Sequence, residues 1–245
     1  MLFERIIPCL LWQNEGLVKT TKFKKPTYIG DATNAIRIFN DKEVDELILL
    51  DIDASKKNKG PDLDFIERVA SECFMPLCYG GGIKTIYDIK KVLSKGVEKV
   101  CITSTALKNP KFIKEASKTF GSSTIVVCID YKKNLLGLNK VYYKGDTKKS
   151  SYHPVDFAKL MEEMGAGELV IQSIENDGKM TGYDEKMLKE ITNKVSIPVI
   201  AMGGAKNIDD MYNVLKTTNI SAAAAGSTFV FQGKNKAVLI NYSKR

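Results

Sequence analysis

Carboxylates follow three apolar segments of this sequence, at positions where they could transfer protons. Asp130 ends the segment Thr124–Asp130, and burial there would raise the pKa of its carboxyl group. The other candidates follow two further segments and are Asp51, Asp53, Glu175 and Asp177. Asp130 is therefore the first candidate for general acid or base catalysis, and the alternative is a carboxylate that only caps a loop.

Glycines and hydroxyl residues follow four other apolar segments, and together they predict two phosphate sites. Glycine lets backbone amides approach a ligand closely, hydroxyl groups add hydrogen-bond donors, and a helix N-terminus favours an anion. The first set is Gly80, Gly81, Gly82, Thr103, Ser104 and Thr105, and the second set is Gly203, Gly204, Gly226 and Ser227. A ligand with a phosphate at each end would fit both sets, whereas the alternative is that these glycines only form tight turns.

The two sets belong to an internal repeat with an offset of 122 residues. The offset pairs Glu46 with Glu168, Pro76 with Pro198, Gly81 with Gly203, and Thr105 with Ser227. Near the start of the chain, a local offset of 119 matches Cys9 with Cys128 and places Leu11 opposite Asp130. A site with one carboxylate in each half would need Asp or Glu at position 11, and leucine cannot transfer a proton.

Eight predicted strand-then-helix units would position these residues. The predicted strands are Arg5–Trp12, Leu47–Ile52, Leu77–Tyr79, Val100–Thr103, Thr124–Asp130, Leu169–Ser173, Val199–Met202 and Ala222–Ala225. This alternation predicts an α/β protein with a parallel sheet, and eight units predict a closed (β/α)8 TIM barrel with its active site at the C-terminal strand ends. The repeat predicts a single domain, residues 1–245, built from half-barrels of about 1–121 and 122–245.

Three segments fall outside the regular alternation. The polar segment Gln13–Gly30 is predicted to be a long loop, of the kind that often forms a lid. The segment Tyr131–Tyr152 is predicted to be a hairpin around Lys144-Gly145-Asp146, and a last helix is predicted to end near Tyr242.

Four charged residues stand immediately before predicted strands, at the end of the barrel opposite the glycines. They are Arg5, Glu46, Lys99 and Glu168. Two positive and two negative side chains would surround the lower opening of the barrel, where buried charges are tolerated only in pairs. Taken by themselves, these residues are better explained as ordinary charges at strand starts.

Composition narrows the classes of function. The chain of 245 residues carries a net charge of +8 and one histidine, which disfavours a histidine-based triad. The excess of lysine favours a solvated basic surface or an anionic substrate over nucleic acid, because no basic helix or aromatic-basic ribbon is present. No Cys/His spacing predicts a metal site, and no cofactor is expected.

Apolar runs of strand length exclude a membrane span, and no membrane partner is expected from the sequence. The N-terminal residues lack the features of a signal peptide, so a cytoplasmic location is expected. Four of the five cysteines lie in apolar runs and are predicted to be buried free thiols in a reducing compartment: Cys9, Cys78, Cys101 and Cys128.

These motifs resemble the cyclase subunit of imidazole glycerol phosphate synthase over nearly the whole chain. The matching residues are Arg5-Ile6-Ile7-Pro8-Cys9-Leu10, Lys19, Asp51-Ile52, Ala54-Ser55, Gly80-Gly81-Gly82, Asp130, Asp177-Gly178, Gly182-Tyr183-Asp184 and Gly203-Gly204. The resemblance implies a ligand with two phosphates, bound in part by Asp177 and Gly178, and substrate contacts from Lys19 and Asp51. It also implies a heterodimer with a glutaminase at the N-terminal face of the barrel, where the four charged residues named above would form an ammonia gate.

Three positions depart from that family and favour a side branch. The resemblance places a catalytic aspartate at Leu11, an asparagine at Thr103 and a threonine at Gln172. The segment 22–31 resembles a branch associated with glutamine-dependent formation of acetamidino groups on bacterial surface sugars, which implies ammonia delivery to a separate sugar amidotransferase. The alternative is a lyase-type cyclase of histidine biosynthesis. A third relative, the formimino-ribonucleotide isomerase of histidine synthesis, shares the two-phosphate half-barrels but needs no ammonia gate.

Overall fold

A closed barrel of parallel strands forms the centre of the molecule, and the computed structural model describes residues 4–233, 235 and 237–242. The strands are β1 (Arg5–Gln13), β2 (Gly16–Thr21), β3 (Lys24–Gly30), β4 (Leu47–Asp51), β5 (Leu77–Gly80), β6 (Lys99–Ile102), β7 (Ile125–Lys133), β8 (Asn139–Tyr143), β9 (Lys148–Lys149), β10 (Glu168–Ser173), β11 (Val199–Met202), β12 (Ala222–Ala225), β13 (Phe231–Gln232) and β14 (Ala237–Val238). The barrel order is β1, β4, β5, β6, β7, β10, β11 and β12, and β12 pairs with β1 to close it. The predicted (β/α)8 TIM barrel is confirmed.

Amphipathic helices cover the outside of the barrel. They are α1 (Ala32–Asp41), α2 (Leu63–Glu72), α3 (Ile86–Leu93), α4 (Ser104–Lys108), α5 (Lys111–Phe120), α6 (Pro154–Glu163), α7 (Glu185–Thr192), α8 (Ile208–Thr217) and α9 (Ser227–Val230), with a 3-10 helix at Ser122–Thr124. In α1 the helical spacing predicts the buried face that is observed, which consists of Ala32, Ala35, Ile36 and Phe39. None of the helices in the described part of the chain has the length and apolar character that a membrane span requires.

Side chains of the barrel strands alternate between the helix layer and the lumen. On β1, Ile6 and Leu10 pack in the outer core beneath the helices, whereas Ile7, Cys9 and Leu11 belong to the inner cluster. The four cysteines predicted to be buried also belong to this inner cluster as free thiols: Cys9, Cys78, Cys101 and Cys128. The lumen is therefore an apolar, thiol-lined column.

The prediction of a long loop at Gln13–Gly30 is wrong. The segment forms a hairpin, in which β2 pairs antiparallel with both β1 and β3. The tight turn between β2 and β3 consists of Lys22 and Phe23, whose φ angles are +53° and +61°. These residue types rarely adopt positive φ, so the sequence lacks the Gly or Asn signal from which such a turn is usually predicted.

The predicted hairpin at Tyr131–Tyr152 is confirmed in part. β7 continues past the barrel and pairs antiparallel with β8, and β8 pairs with β9 across the predicted turn at Lys144-Gly145-Asp146. The first turn, at 134–138, was not predicted. The β7–β8–β9 unit is therefore a three-stranded meander.

The prediction of a last helix that ends near Tyr242 is also wrong. α9 ends at Val230, and the antiparallel pair of β13 and β14 follows. Gly233 has a φ angle of +70° in the turn between these strands, which is incompatible with a continuing helix. Tyr242 instead packs against Phe229 and donates its hydroxyl to the carbonyl of Ile6 over 3.2 Å.

Equivalent hydrogen bonds recur in the two halves of the barrel. The amide of Lys84 donates to Asp88 Oδ2 over 3.0 Å, and the amide of Lys206 donates to Asp210 Oδ2 over the same distance. These pairs agree with the offset of 122 residues. They are consistent with two half-barrels, and that division stays a prediction.

The strand register gives an offset of 123 residues, rather than 122, between equivalent positions of β6 and β12. Ser104 and Ser227 therefore occupy equivalent positions at the starts of α4 and α9, and the predicted pairing of Thr105 with Ser227 is wrong. The physical reason is a length difference in the preceding units, because α8 is longer than α3 and β12 begins one residue later than the repeat predicts.

Candidate active site

One cavity at the C-terminal ends of the barrel strands brings most of the predicted site residues together. It is lined by Leu11, Lys19, Asp51, Gly80, Gly81, Gly82, Thr103, Ser104, Thr105, Asp130, Gln172, Asp177, Gly178, Gly203, Gly204, Gly226 and Ser227. Asp53 and Glu175 are not part of this lining: Asp53 binds Gln13 and Lys57, and Glu175 accepts a long hydrogen bond from the backbone of the meander. The cavity lies at the end of the barrel where this fold places its active sites.

Asp130 lies in this cavity, where its environment disfavours a negative charge. Burial raises the pKa of the Asp130 carboxyl group to about 7, and the negative charges of Asp177 and Asp146 act in the same direction. The thiol of Cys128 donates a hydrogen bond to Asp130 Oδ1 over 3.3 Å, which opposes the shift. A carboxyl group with a pKa near neutrality can both donate and accept a proton, as general acid–base catalysis requires.

The strand register places Leu11 where a second carboxylate would stand. Leu11 pairs with Leu50 of β4, and Asp130 pairs with Gln172 of β10. Leu50 and Gln172 are related by the repeat offset, so Leu11 and Asp130 are equivalent positions, as the sequence predicts. Leu11 is 8% exposed and belongs to the apolar inner cluster. This side of the cavity therefore lacks a proton-transferring group at the position that matches Asp130.

Asp177 fastens the β2–β3 hairpin to the barrel. Its carboxylate accepts hydrogen bonds from Lys19 Nζ at 3.2 Å, from Thr20 Oγ1 at 2.9 Å and from the amide of Phe23 at 3.2 Å. Lys19 and Asp177 are both buried, so their ion pair fixes the ammonium group at the cavity wall. Both residues line the cavity, and the Lys19 ammonium is the member of the pair whose charge attracts an anion.

Asp51 is a further titratable carboxylate of the cavity. Burial raises the pKa of its carboxyl group, and hydrogen bonds from the amides of Ala54 and Asp53 oppose this shift. Both amides donate to Oδ1, at 2.9 Å each. The second oxygen has no donor among the described residues and remains available to a ligand.

Gly81 and Gly203 are required by the close packing of the backbone. Their φ angles are +131° and +88°, and a Cβ atom would lie 2.7 Å from the carbonyl oxygen of Asp51 or 2.6 Å from that of Ser173. Steric packing thus explains these two glycines without a ligand, which is the alternative that the sequence left open.

A second indication of anion binding, independent of the glycines, lies at the N-termini of two short helices behind the cavity. Neither α4, which begins at Ser104, nor α9, which begins at Ser227, has a side-chain cap on its N-terminal amides. The hydroxyl of Ser227 is buried and has no hydrogen-bond partner in the described part of the chain. Since buried polar groups are normally hydrogen-bonded, uncapped amides beside an unsatisfied hydroxyl fit an anion.

The four charged residues at the opposite end form one closed ring of ion pairs. Arg5 binds Glu46 at 2.7 Å and also binds Glu168, and Lys99 binds each of the two glutamates at 3.0 Å. Burial by itself lowers the pKa of the Arg5 and Lys99 side chains, but the neighbouring carboxylates outweigh it, so both pKa values are raised. The side chains therefore form a mutually dependent network rather than four independent strand-start charges.

Comparison with known proteins assigns this barrel to a family. A profile described as histidine biosynthesis protein matches residues 5–236. The chain belongs to the histidine biosynthesis protein family. A relative from Pseudomonas aeruginosa, named "Putative imidazole glycerol phosphate synthase subunit hisF2", is 50% identical over 242 residues, which are 99% of this chain and 96% of that protein.

A second relative, the imidazole glycerol phosphate synthase subunit HisF of Natranaerobius thermophilus, is 40% identical over 242 residues, again 99% of this chain and 96% of that protein. These similarities group this family member with the HisF-type cyclase subunits, which are parts of an enzyme. The resemblance inferred from the motifs is confirmed at this level.

Two lysines that line the cavity were not predicted from the sequence of this family member. Lys56 follows β4, and Lys144 begins the turn between β8 and β9. A Cβ atom at Gly145 would lie 2.1 Å from Lys56 Cε, so the two loops meet across the mouth of the cavity. The sequence contains so many lysines that these two could not be distinguished from surface lysines. Only the fold brings both to the mouth of the cavity.

We predict that anions occupy both ends of this cavity. Crystals soaked in phosphate or sulfate should show density near Gly82 with Ser104, and near Gly204 with Ser227. Ser227→Ala should weaken the second anion and leave the first unchanged, because it removes one hydroxyl donor. Empty density at both places, at high anion concentration, would contradict the prediction.

A second prediction concerns the pH dependence of stability. The pKa of Asp130 is about 7 in the folded chain, against an ordinary value of 3.8, so the folded state binds this proton more tightly than the unfolded state. Asp130 should therefore lower the free energy of unfolding as pH rises from about 4 to about 7, by at most about 1.4 kcal/mol per pH unit. Asp130→Asn should lack this contribution. Urea unfolding of both proteins across that range checks it, and parallel curves would refute the raised pKa.

Proposed function

We propose that this chain receives ammonia from a glutaminase subunit at the charged ring and uses it at the cavity, in a reaction of the imidazole glycerol phosphate synthase type. The observation that carries the proposal is the closed ring of Arg5, Glu46, Lys99 and Glu168. The glutaminase would form a heterodimer with the N-terminal face of the barrel. The ligand would be a small molecule with two phosphates, bound at the sites described above.

The ring has the properties of a gate. The two glutamate side chains are 4% and 7% exposed, whereas Arg5 and Lys99 are 23% and 21% exposed. The cations therefore lie on the outer side of the ring, and we expect them to be the members that move, while the carboxylates lie deeper in the barrel. Removing one cation would leave buried carboxylates unpaired, so the closed state is strongly favoured until a partner supplies a compensating contact.

The route between ring and cavity is suited to a small neutral molecule. The lumen residues above the ring are apolar or thiols, and Cys9, Cys101 and Cys128 reach the wall of the cavity. Burial raises the pKa of the Cys9 thiol to about 12. At Cys128 a hydrogen bond with Cys101 lowers the pKa, but burial and the charge of Asp130 outweigh it and raise the pKa to about 11, so both thiols stay neutral. Such a lumen disfavours ammonium ions and would admit ammonia.

In the cavity, Asp130 would move protons on one half of the ligand and the Lys19 ammonium would bind an anionic group. The equivalent place in the other half holds Leu11, which can neither give nor take a proton. Asp51 is another titratable carboxylate of this cavity, and it is the residue next to the one paired with Leu11. We infer that ring formation from the ligand is slow in this chain, because one positioned proton-transfer group is missing.

A second candidate function follows from Leu11. Ammonia that is not used in the cavity could leave through the mouth and serve a sugar amidotransferase, which would form acetamidino groups on a bacterial surface sugar. The names of the relatives described above support the cyclase function more directly than this one. The two functions differ in whether the chain itself makes imidazole glycerol phosphate.

We predict that Lys99→Glu impairs ammonia transfer more than folding. The change places a third carboxylate in the ring, which disrupts both ion pairs of Lys99 at a partly exposed position. Product formation with glutamine should fall at least about tenfold, whereas formation with saturating ammonium salt should stay within about twofold, measured with whichever acceptor is active. Lys114→Glu, on the exposed face of α5, is the matched control. Equal losses with both nitrogen sources would show that the ring is not a gate.

The unmodified chain should form very little imidazole glycerol phosphate, even with saturating ammonium salt that bypasses the glutaminase. A positioned general acid or base contributes roughly a hundred- to ten-thousandfold in rate, and Leu11→Asp should recover part of it if Thr103 and Gln172 are tolerated. Leu11→Asn is the matched control, because it has a similar shape but cannot transfer a proton. Robust turnover by the unmodified chain would refute the inference and would assign the missing role to another carboxylate such as Asp51.

A further inference from the structure

The turn between β7 and β8 exposes three leucines at its tip. Leu135, Leu136 and Leu138 are 106%, 82% and 55% exposed, and together with Gly137 they form what we call the leucine tip, residues 135–138. The turn is closed by hydrogen bonds, because Asn134 Oδ1 accepts from the amides of Leu136 and Leu138 at 2.9 Å each. A hydrogen-bonded turn that presents apolar side chains to solvent indicates an interaction site.

The meander that carries the leucine tip is strongly basic. Its lysines are Lys132, Lys133, Lys140, Lys144, Lys148 and Lys149. The acidic side chain of its outer part is Asp146, which already pairs with Lys132 at 2.7 Å. Apolar residues thus protrude from a surface with several lysines that form no ion pair with the described residues.

The turn that carries the leucine tip projects beyond the barrel, whereas Tyr131 and Val141 of the same meander pack in the core. β7 pairs with β10 as far as Tyr131 but continues to Lys133, so the leucine tip extends beyond the rim of the sheet. β7 also carries Asp130, and Lys144 and Gly145 of the same meander line the cavity. Whatever the leucine tip contacts therefore lies on the side of the molecule where the cavity opens.

We propose that the leucine tip docks on the surface of a membrane that contains anionic phospholipids. The leucines would enter the boundary between headgroups and acyl chains, and the lysines would lie among the lipid phosphates. Protruding apolar residues flanked by lysine are typical of peripheral membrane contacts. This contact does not cross the bilayer, and it does not depend on the reaction in the cavity.

Other occupants fit the same observations less well. Three leucines offer far less than the roughly 800 Å² per partner of a stable protein interface, and they are flanked by lysine, which such interfaces disfavour. The leucine tip also lacks the Trp, Tyr and Arg residues that dominate binding energy between proteins. A second copy of this chain would bring two basic surfaces together, which repel each other.

The test is sedimentation of the full chain with vesicles of phosphatidylcholine alone or mixed in equal parts with phosphatidylglycerol. We expect binding to the mixed vesicles only, weakened by salt. Leu135→Ser/Leu136→Ser/Leu138→Ser should lower the partition coefficient at least about tenfold, and Lys148→Glu/Lys149→Glu should do the same, since each lysine near an anionic surface contributes roughly fivefold. All five side chains are exposed, so the fold should be unaffected.

Matched controls separate this contact from general attraction. Lys114→Glu/Lys118→Glu changes the net charge equally on the exposed face of α5, and Phe74→Ser removes an exposed apolar residue near the start of β5; both should bind as the unmodified chain does. In Leu136→Trp, brominated lipids should quench the new tryptophan but not the buried Trp12. Four results would each overturn the proposal. They are no binding to the mixed vesicles, an equal loss of binding in the control lysine pair, no quenching of Leu136→Trp, and self-association through the leucines instead of lipid binding.

Discussion

Closure of the sheet between β12 and β1 is the constraint on which the remaining structure depends. Once eight parallel strands form a closed barrel, each strand must direct alternate side chains inward, and strand ends of one kind must meet at one opening. On β1 this places Arg5 at the lower opening and Leu11 at the upper one, with Ile7 and Cys9 between them. A slip of one residue in this strand would bring Ile6 and Leu10 into the lumen and would separate Arg5 from both glutamates.

Charged side chains at the two openings of the barrel differ in whether they are paired. At the lower opening both glutamates of the ring have cationic partners, so their charges persist. At the upper opening the thiol of Cys128 is the one donor to Asp130 among the described residues, and burial raises the pKa of the Asp130 carboxyl group to about 7. Paired charge makes a stable closure, whereas unpaired buried charge makes a group that exchanges protons near neutral pH.

Asp177 connects the barrel with the hairpin that borders the cavity. Positive φ angles at Lys22 and Phe23 cost roughly 1–2 kcal/mol each, and the hydrogen bonds that both amides donate to Asp177 offset this cost. The same carboxylate holds the Lys19 ammonium in place. The Asp177 side chain therefore positions the turn and the cation, and its loss would remove the carboxylate contacts of Phe23 and Lys19; its predicted contact with a phosphate stays a prediction.

The sequence by itself determined the barrel, because eight apolar strands that alternate with amphipathic helices predict a closed parallel sheet covered by helices. It also determined the equivalence of Leu11 with Asp130, since a repeat preserves the order of strand positions. Only the tertiary structure decided which turns form without glycine, because the hydrogen bonds to Asp177 come from a residue that is distant in the chain. The strand register likewise decided that Ser104, and not Thr105, is equivalent to Ser227. The unit from α8 to β12 is one residue longer than the unit from α3 to β6, and short apolar runs do not reveal that difference. The exposure of Leu135, Leu136 and Leu138 was decided in the same way, because apolar residues in a sequence look alike until the fold shows which of them remain outside the core.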